Sequence, residues 1–468
     1  MTARFDDIQD REEGLRRGLT SGQLGMIAIG GAIGTGLFLG SSFAISFAGP
    51  SVIVSYAIGA LVALLLMGCL AEMTVAHPTP GSFGSWAEFY IGPLAGFLVR
   101  YAYWSGIVFA VGTEVTAIAV YMRYWFPGVA GWVWIVGFSA ILIAINARNV
   151  NVFGMVEYSL STLKVTAIVA FILLGGWLVA GTGFSNYTQH GGFFPKGAWG
   201  MWVAVIVSIF SYLSIEMIAV AAGEAEDPQR AITKAFRSTV ARLVIFYLLT
   251  LAIILAMVPW TESGKGESPF VAVMARSHVP FAASLVNFII LVAALSAMNS
   301  QLYITTRMMF SLARAGHAPQ RFGELSARGT PVSALLLSSI GIALAAVVNA
   351  LFPNTAFTLM MAISMFGAMF TWLMIFVTHL YFRRAHAGDE TAFRMWGYPY
   401  STLLGAGLMA AILLSTAFTR EFRMTLVYGL PVLVLFCAVW GLRRQSLGAS
   451  AGRPTEEAPL PSAGDTKG

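Results

Sequence analysis

An all-α integral membrane protein with twelve transmembrane helices, the first and sixth of them broken, is the fold this sequence predicts. Three observations predict it. The chain has 468 residues, of which 57% are hydrophobic and 11% charged, whereas a soluble domain carries about 25% charged residues. Apolar runs of the roughly 20 residues needed to span a bilayer recur along nearly its whole length. Two of those runs carry glycine, small polar residues or a carboxylate at mid-membrane depth, where hydrocarbon offers no partner to a bare peptide group.

The elements follow in order. An arm, 1–19, is charged and polar and reads as a cytoplasmic tail. The first apolar run follows it without a small-residue cleavage site, so it is not a removed leader. Apolar runs then lie near 24–46, 51–75, 94–122, 131–147, 158–180, 200–222, 240–258, 283–312, 332–350, 357–382, 401–418 and 425–442. The first ten form a core domain over 20–396, and the last two, in 397–444, are additional helices. A tail, 445–468, is rich in Ala, Gly, Pro, Ser and Glu, has no apolar face, and is expected to be disordered. Loop charge sets the orientation. Arg4, Arg11, Arg16, Arg17, Arg148, Arg230, Lys234, Arg237, Arg314, Arg321, Arg328, Arg383, Arg384, Arg394, Arg443 and Arg444 fall on the amino-terminal side. The far side holds fewer: Arg123, Lys196, Lys265, Arg276, Arg420 and Arg423. Both termini are therefore placed in the cytoplasm, and the +6 net charge belongs to loops rather than to a nucleic-acid face. Cys69 and Cys437 lie within apolar runs, so no disulfide framework is expected. The six histidines have no metal-ligand spacing, and no metal or cofactor is expected.

Within the first run, Ile29-Gly30-Gly31-Ala32-Ile33-Gly34-Thr35-Gly36-Leu37-Phe38 places four glycines in seven positions. Glycine loses the most backbone entropy on ordering, so this is poor helix chemistry. The stretch reads as a broken helix at a ligand site or as a close helix-packing face. The sixth run holds Phe210-Ser211-Tyr212-Leu213-Ser214-Ile215-Glu216. Interrupted segments at matching positions of two halves are the best sequence pointer to a transporter's binding site.

Three ionisable groups stand at membrane depth, where charge is expensive and faces the bundle interior. Glu114 has no basic residue within a helical turn. It reads as a proton carrier or pocket lining, or as a neutral carboxyl tying helices together, since burial favours the uncharged form. Lys164 follows Glu157 by two helical turns, which puts both on one face about 10 Å apart. A buried ammonium needs acceptors, and the open carbonyls of a broken first helix supply them. Glu216, at the sixth run's interruption, reads as a coupling group or as an acceptor for freed backbone amides. Glu114, Lys164 and Glu216 are the proton-coupling candidates. Glu72, Glu224, Glu226, Asp227 and Arg307 lie near cytoplasmic ends and are expected in structural ion pairs or on solvated faces. His77 is expected to be a loop histidine.

These residues carry a resemblance. The glycine stretch, Ala71-Glu72-Met73 with Pro80-Gly81-Ser82-Phe83, the Glu114 segment, Glu157 to Lys164, Phe210 to Pro228, and Leu295 through Arg307 to Pro319 together resemble the amino acid transporter family of the amino acid–polyamine–organocation superfamily. The resemblance implies the LeuT-type fold, with ten core helices in two inverted repeats, and proton-linked amino acid uptake. It implies that the Thr35 hydroxyl and the Thr35 and Gly36 amides receive a substrate carboxylate. The carbonyls of Ala32, Phe210 and Leu213 would receive the amino group, with Ile33 and Ser214 in the same set and Phe210 capping the substrate from outside. Lys164 would stand where sodium-coupled relatives hold sodium. Ser214 departs from the glycine common there, so Tyr212 and Ser214 are expected to narrow the pocket.

The reading is a secondary permease for a zwitterionic, neutral amino acid, driven by protons across the cytoplasmic membrane. Its partners are the amino acid, protons and lipid, and it acts as a monomer or homodimer. An amino acid/amine exchanger and a non-transporting membrane sensor are the alternatives. An enzyme is not expected, because the chain carries no metal cluster or ordered nucleophile–base pattern.

Overall fold

The computed structural model describes residues 5–226, 244–263, 268–276, 280–386 and 393–451. Arg4, Asp227, Arg230, Lys234, Arg237, Lys265 and the tail 452–468 lie outside the described residues. The described residues form helices α1 (Phe5–Arg11), α2 (Ser21–Ala32), α3 (Ser41–Ala48), α4 (Val52–Ala76), α5 (Ser82–Tyr90), α6 (Pro93–Arg123), α7 (Gly131–Asn146), α8 (Val150–Thr182), α9 (Gly197–Tyr212) and α10 (Met217–Ala221). There follow α11 (Val244–Met257), α12 (Trp260–Ser263), α13 (Pro269–Arg276), α14 (Ala282–Arg314), α15 (Val332–Ser338), α16 (Ile340–Leu351), α17 (Ala356–Ala385), α18 (Tyr400–Ser415) and α19 (Arg423–Ala451). Among the described residues nine segments are long and apolar enough to cross a membrane, and α7 and α11 are shorter apolar helices. One of the nine, Ser21–Ala76, is 56 residues long. At 1.5 Å per residue that is about 84 Å of helix, more than twice the thickness of a hydrocarbon core of about 30 Å.

Local chemistry sets several boundaries. Thr20 and Gln23 form a reciprocal capping box at the start of α2. Pro93 opens α6, where its missing N–H costs nothing. Asn149 caps α8 through the Val152 amide at 3.0 Å. That cap starts α8 eight residues before the apolar run expected at 158–180, so Glu157 lies inside the helix. The last helix continues to Ala451, past the expected tail boundary at 445.

The core is built around α6, α14 and α17, whose facing sides are buried. Small residues let them approach: a Cβ on Gly106 would lie 2.9 Å from the Ser364 carbonyl oxygen, and one on Gly367 would meet the Ala102 carbonyl oxygen at 2.0 Å. This is the small-residue packing expected where lipid removes the hydrophobic drive between helices. The short helices α1, α5, α12 and α13 went unforeseen because none is long or apolar enough to register as a membrane run. The amino-terminal arm packs against the bundle. Glu12 is buried and its carboxylate accepts from Thr79 Oγ1 (2.6 Å), the Gly81 amide (2.7 Å), Ser85 Oγ (2.9 Å), Ser311 Oγ (2.6 Å) and Arg100 Nη2 (3.3 Å).

Candidate substrate and coupling site

Both suspect runs are interrupted. Helix α2 stops at Ala32, Ile33 leaves helical geometry (φ −84°, ψ 85°), and the chain resumes as a wide turn at Gly36–Gly40 before α3. Helix α9 stops at Tyr212, Leu213 is extended (φ −57°, ψ 156°), Ser214 is left-handed (φ 75°), and α10 begins at Met217. A serine at positive φ is strained where glycine would not be.

The glycines serve both as break and as packing face. A Cβ on Gly36 would lie 2.7 Å from Ser211 Cα, so the two interruptions cross in direct backbone contact. One on Gly34 would meet Ala297 Cβ at 2.8 Å and Glu114 Oε1 at 2.9 Å, and one on Gly31 would meet Met217 Sδ at 2.8 Å. The first interruption is thus wedged between α6, α9, α10 and α14.

The freed peptide groups are taken by side chains from distant helices. The Thr35 amide donates to Glu114 Oε2 at 3.3 Å. Lys164 Nζ donates to the Gly30 carbonyl at 2.5 Å and the Ile33 carbonyl at 2.9 Å. The hydroxyl of Tyr247, on α11, lies 2.7 Å from the Ala32 carbonyl oxygen and 2.8 Å from that of Ser211. One hydroxyl has one proton, so it donates to one of these carbonyls at a time. Among the described residues, Ser214 Oγ, Ser300 Oγ and Gln301 Oε1 are buried without a hydrogen-bond partner. Leaving such an atom unmet costs about 1–3 kcal/mol, so these atoms favour a polar ligand beside the interruptions.

Glu216 stands apart from the Glu114–Lys164 group. It accepts from Tyr103 (2.6 Å), Trp372 Nε1 (3.1 Å) and the Ser214 amide (3.2 Å). Tyr103 precedes Glu114 by eleven residues on α6, a rise of roughly 16 Å. Glu216 therefore pins the second interruption to α6 and α17. Phe210 and Leu213 are nearly buried at the crossing, and Phe210 Cδ1 would lie 3.2 Å from a Cβ on Gly36. Tyr212 turns its hydroxyl to the Tyr56 carbonyl at 3.3 Å, and the Ser214 Cβ lies 3.3 Å from the Cβ position of Gly31. Tyr247, Tyr103, Trp372 and Gln301 were not singled out in the sequence. Tyr247 sits in a plain apolar run and carries no local signal.

On the arm's side, Glu224 pairs with Arg307 (2.7 Å) and Tyr303 (2.7 Å), and its backbone carbonyl accepts from the Gly18 and Leu19 amides. Glu72 likewise holds His379, Arg383 and the Met395 amide. Outside the spans, Glu88 bonds Arg11 (2.9 Å) and Arg100 (2.7 Å). Burial pushes its carboxyl up, but the two guanidinium groups outweigh that and hold it at about 2. His77, at the end of α4, stacks on Phe5 and is lowered to about 4 by burial. On the opposite side Phe270 of α13 inserts against Phe38 and Phe171, with ring centroids 4.8 Å apart in each pair.

The amino acid permease family profile matches residues 23–445. The chain belongs to the amino acid permease family. It is 35% identical over 460 residues to the uncharacterized amino acid permease YtnA of Bacillus subtilis, covering 95% of this chain and 99% of that one. It is 38% identical to the aromatic amino acid transport protein AroP of Salmonella typhimurium over 441 residues, and to AroP of Escherichia coli K12 over 439 residues. In both comparisons 92% of this chain and 96% of the relative are covered. This permease is a multi-pass membrane protein of the amino acid–polyamine–organocation superfamily.

Proposed function

We propose that this permease imports a neutral amino acid, of the aromatic class, together with a proton across the cytoplasmic membrane. The observation that carries the reading is the bond from the Thr35 amide to Glu114. A half-helix start is a natural anion site, because its amides point outward and its dipole favours negative charge. Glu114 occupies the place that an amino acid carboxylate needs. Two carboxylates cannot share one set of donors while both are ionised. Arrival of the substrate carboxylate at the Thr35 and Gly36 amides therefore requires a proton on Glu114, and its departure to the cytoplasm lets that proton go. Uptake and proton entry become one event.

The other end of the zwitterion follows the same logic. Tyr247 donates to the Ala32 carbonyl when the site is empty. Once the substrate ammonium takes Ala32, with the Phe210 and Leu213 carbonyls, the Tyr247 proton turns to Ser211. Ile33 and Ser214 border the same crossing. Lys164 clamps the end of α2 to α8 through two carbonyls, and Glu216 holds the second interruption. The overall plan is twelve spans with both termini cytoplasmic, of which the first ten form two inverted repeats that rock about this midplane site. The AroP relatives' names support the aromatic class.

The test is labelled uptake into proteoliposomes with an imposed proton gradient, competed by a panel of amino acids. The expectation is accumulation abolished by a protonophore, unchanged by sodium, and blocked best by aromatic amino acids. Glu114→Gln, a permanently neutral mimic of the loaded carboxyl, keeps exchange and loses accumulation. Accumulation that depends on sodium, or flux that occurs only against preloaded amine, refutes the proton-symport reading.

A further inference from the structure

Glu157 is a carboxylate without a task in the account above. It lies on α8, wholly buried, two turns toward the helix start from Lys164. Its Oε1 accepts from Ser161 Oγ (3.1 Å) and Ser296 Oγ, and its Oε2 from Asn299 Nδ2 (2.9 Å). Asn299 accepts in turn from Asn146 of α7 at 2.7 Å. These partners are all neutral. A buried carboxylate held by neutral donors stays ionised only against a nearby counter-charge. Among the described residues the cation beside it is Lys164, which bonds the same Gly30 that Glu157 packs against.

The two groups converge on one residue of the broken helix. Helical side chains lean toward the helix start, which carries the Lys164 ammonium toward the turns of Ser161 and Glu157. Lys164 bonds the Gly30 carbonyl, while a Cβ on that same glycine would lie 2.0 Å from Ser161 Oγ and 2.3 Å from Glu157 Oε1. Ser161 stands one turn from each on the shared face. Among the described residues, the other charged or titratable groups on the helices packed around Glu157 have partners of their own. Helix α2 has none in Ser21–Ala32, and α7 presents Asn146. Helix α14 presents Ser296 and Asn299, then Tyr303 and Arg307, which are bound to Glu224. Glu114 lies on α6, on the Thr35 side of the cluster.

We propose that Glu157 is the proton partner of Lys164 and sets when the ammonium clamp on α2 is charged. In the step proposed, an N–H bond breaks at Lys164 Nζ as its proton passes to Ser161 Oγ. Ser161 delivers its own hydroxyl proton to Glu157 Oε1, where an O–H bond forms. Amine and acid are then both neutral, the grip on the Gly30 and Ile33 carbonyls weakens, and α2 is free to leave α8. Glu157 is a positioning residue, since it acts through Lys164 rather than on substrate. The inference rests on the proton-coupled reading of this site.

The experiment uses purified full-length permease in proteoliposomes, as wild type, Glu157→Gln, Lys164→Ala and the double variant. Gradient-driven accumulation and equal-concentration exchange are measured for each. Wild-type uptake indifferent to the gradient refutes the coupled reading itself, before any variant is compared. With wild type coupled, Glu157→Gln is expected to lower accumulation about tenfold or more, the equivalent of one unit of pH, with exchange kept. Added to Lys164→Ala, it should change nothing further. Accumulation like wild type, or an equal loss in both backgrounds and both assays, overturns the inference and leaves Glu157 a structural pin. Should Glu157→Gln not fold, Ser161→Ala decides the question. It keeps both charges and removes the hydroxyl between them, and is expected to move the pH of half-maximal accumulation; an unmoved profile overturns the inference.

Discussion

Replacing Glu12 by alanine tests how the amino-terminal arm is held. The Glu12 carboxylate accepts five hydrogen bonds from the α4–α5 connection, α5, α6 and α14, and it is buried with Arg100. Its loss takes the acceptor from the Thr79, Ser85 and Ser311 hydroxyl protons and the Gly81 amide, while Arg100 keeps Glu88 (2.7 Å), Ser311 Oγ (2.8 Å) and Ser85 Oγ (2.9 Å). Removing one partner of a buried ion pair costs about 3–5 kcal/mol. The surviving Arg100–Glu88 pair places the expectation at the lower end, about 3 kcal/mol, or roughly a hundredfold in the docked-to-undocked ratio at 1.4 kcal/mol per decade. Because the arm's contacts open locally rather than with the whole bundle, hydrogen exchange reads this directly. Amides in Phe5–Arg11 and at Gly18 and Leu19 should lose about a hundredfold of protection, while α6 and α14 keep theirs. Unchanged protection in the arm, or equal loss throughout the bundle, refutes the reasoning.

Three further outcomes are expected. Tyr247→Phe removes one hydrogen bond from the Ala32–Ser211 pair of carbonyls, while Ala32 keeps the Gly34 amide at 3.1 Å, and is expected to destabilise the empty protein by about 1 kcal/mol. Under the handover the ammonium adds one donor to this pair of carbonyls in wild type and variant alike, so saturating amino acid should raise both melting temperatures equally, and a clearly unequal shift refutes it. Gly36→Ala forces a Cβ to within 2.7 Å of the Ser211 backbone, an overpacking worth about 1–3 kcal/mol. It should abolish uptake and lower the melting temperature, whereas Gly128→Ala, with open space around it, should do neither. Glu88 is held at about 2 against an ordinary value of 4.5. A depressed carboxyl contributes stability that is present above its unfolded value and is lost as pH falls toward its folded value. The Arg11–Glu88 contact should thus hold at pH 5 and weaken between about 4.5 and 2, as read by proteolysis of the arm; release already at pH 6 contradicts this.

The membrane class, the apolar runs and the two candidate interruptions were legible in the sequence. Each of these is written in contiguous residues: apolar length against bilayer thickness, and glycines or small polar groups where a helix must be continuous to survive in lipid. It also marked Glu114, Lys164 and Glu216, because charge in hydrocarbon is conspicuous whatever surrounds it. Tertiary structure decided who meets whom. Glu114 finds the Thr35 amide 79 residues away, Lys164 finds Gly30 across 134, and Tyr247 bridges both interruptions from a run that looks ordinary. Only the fold separates Glu216 from the Glu114–Lys164 group and draws the charged arm inward onto Arg100. Peptide groups freed from a helix take whatever donor or acceptor the packing brings, and that choice depends on distances between helices that no stretch of sequence contains.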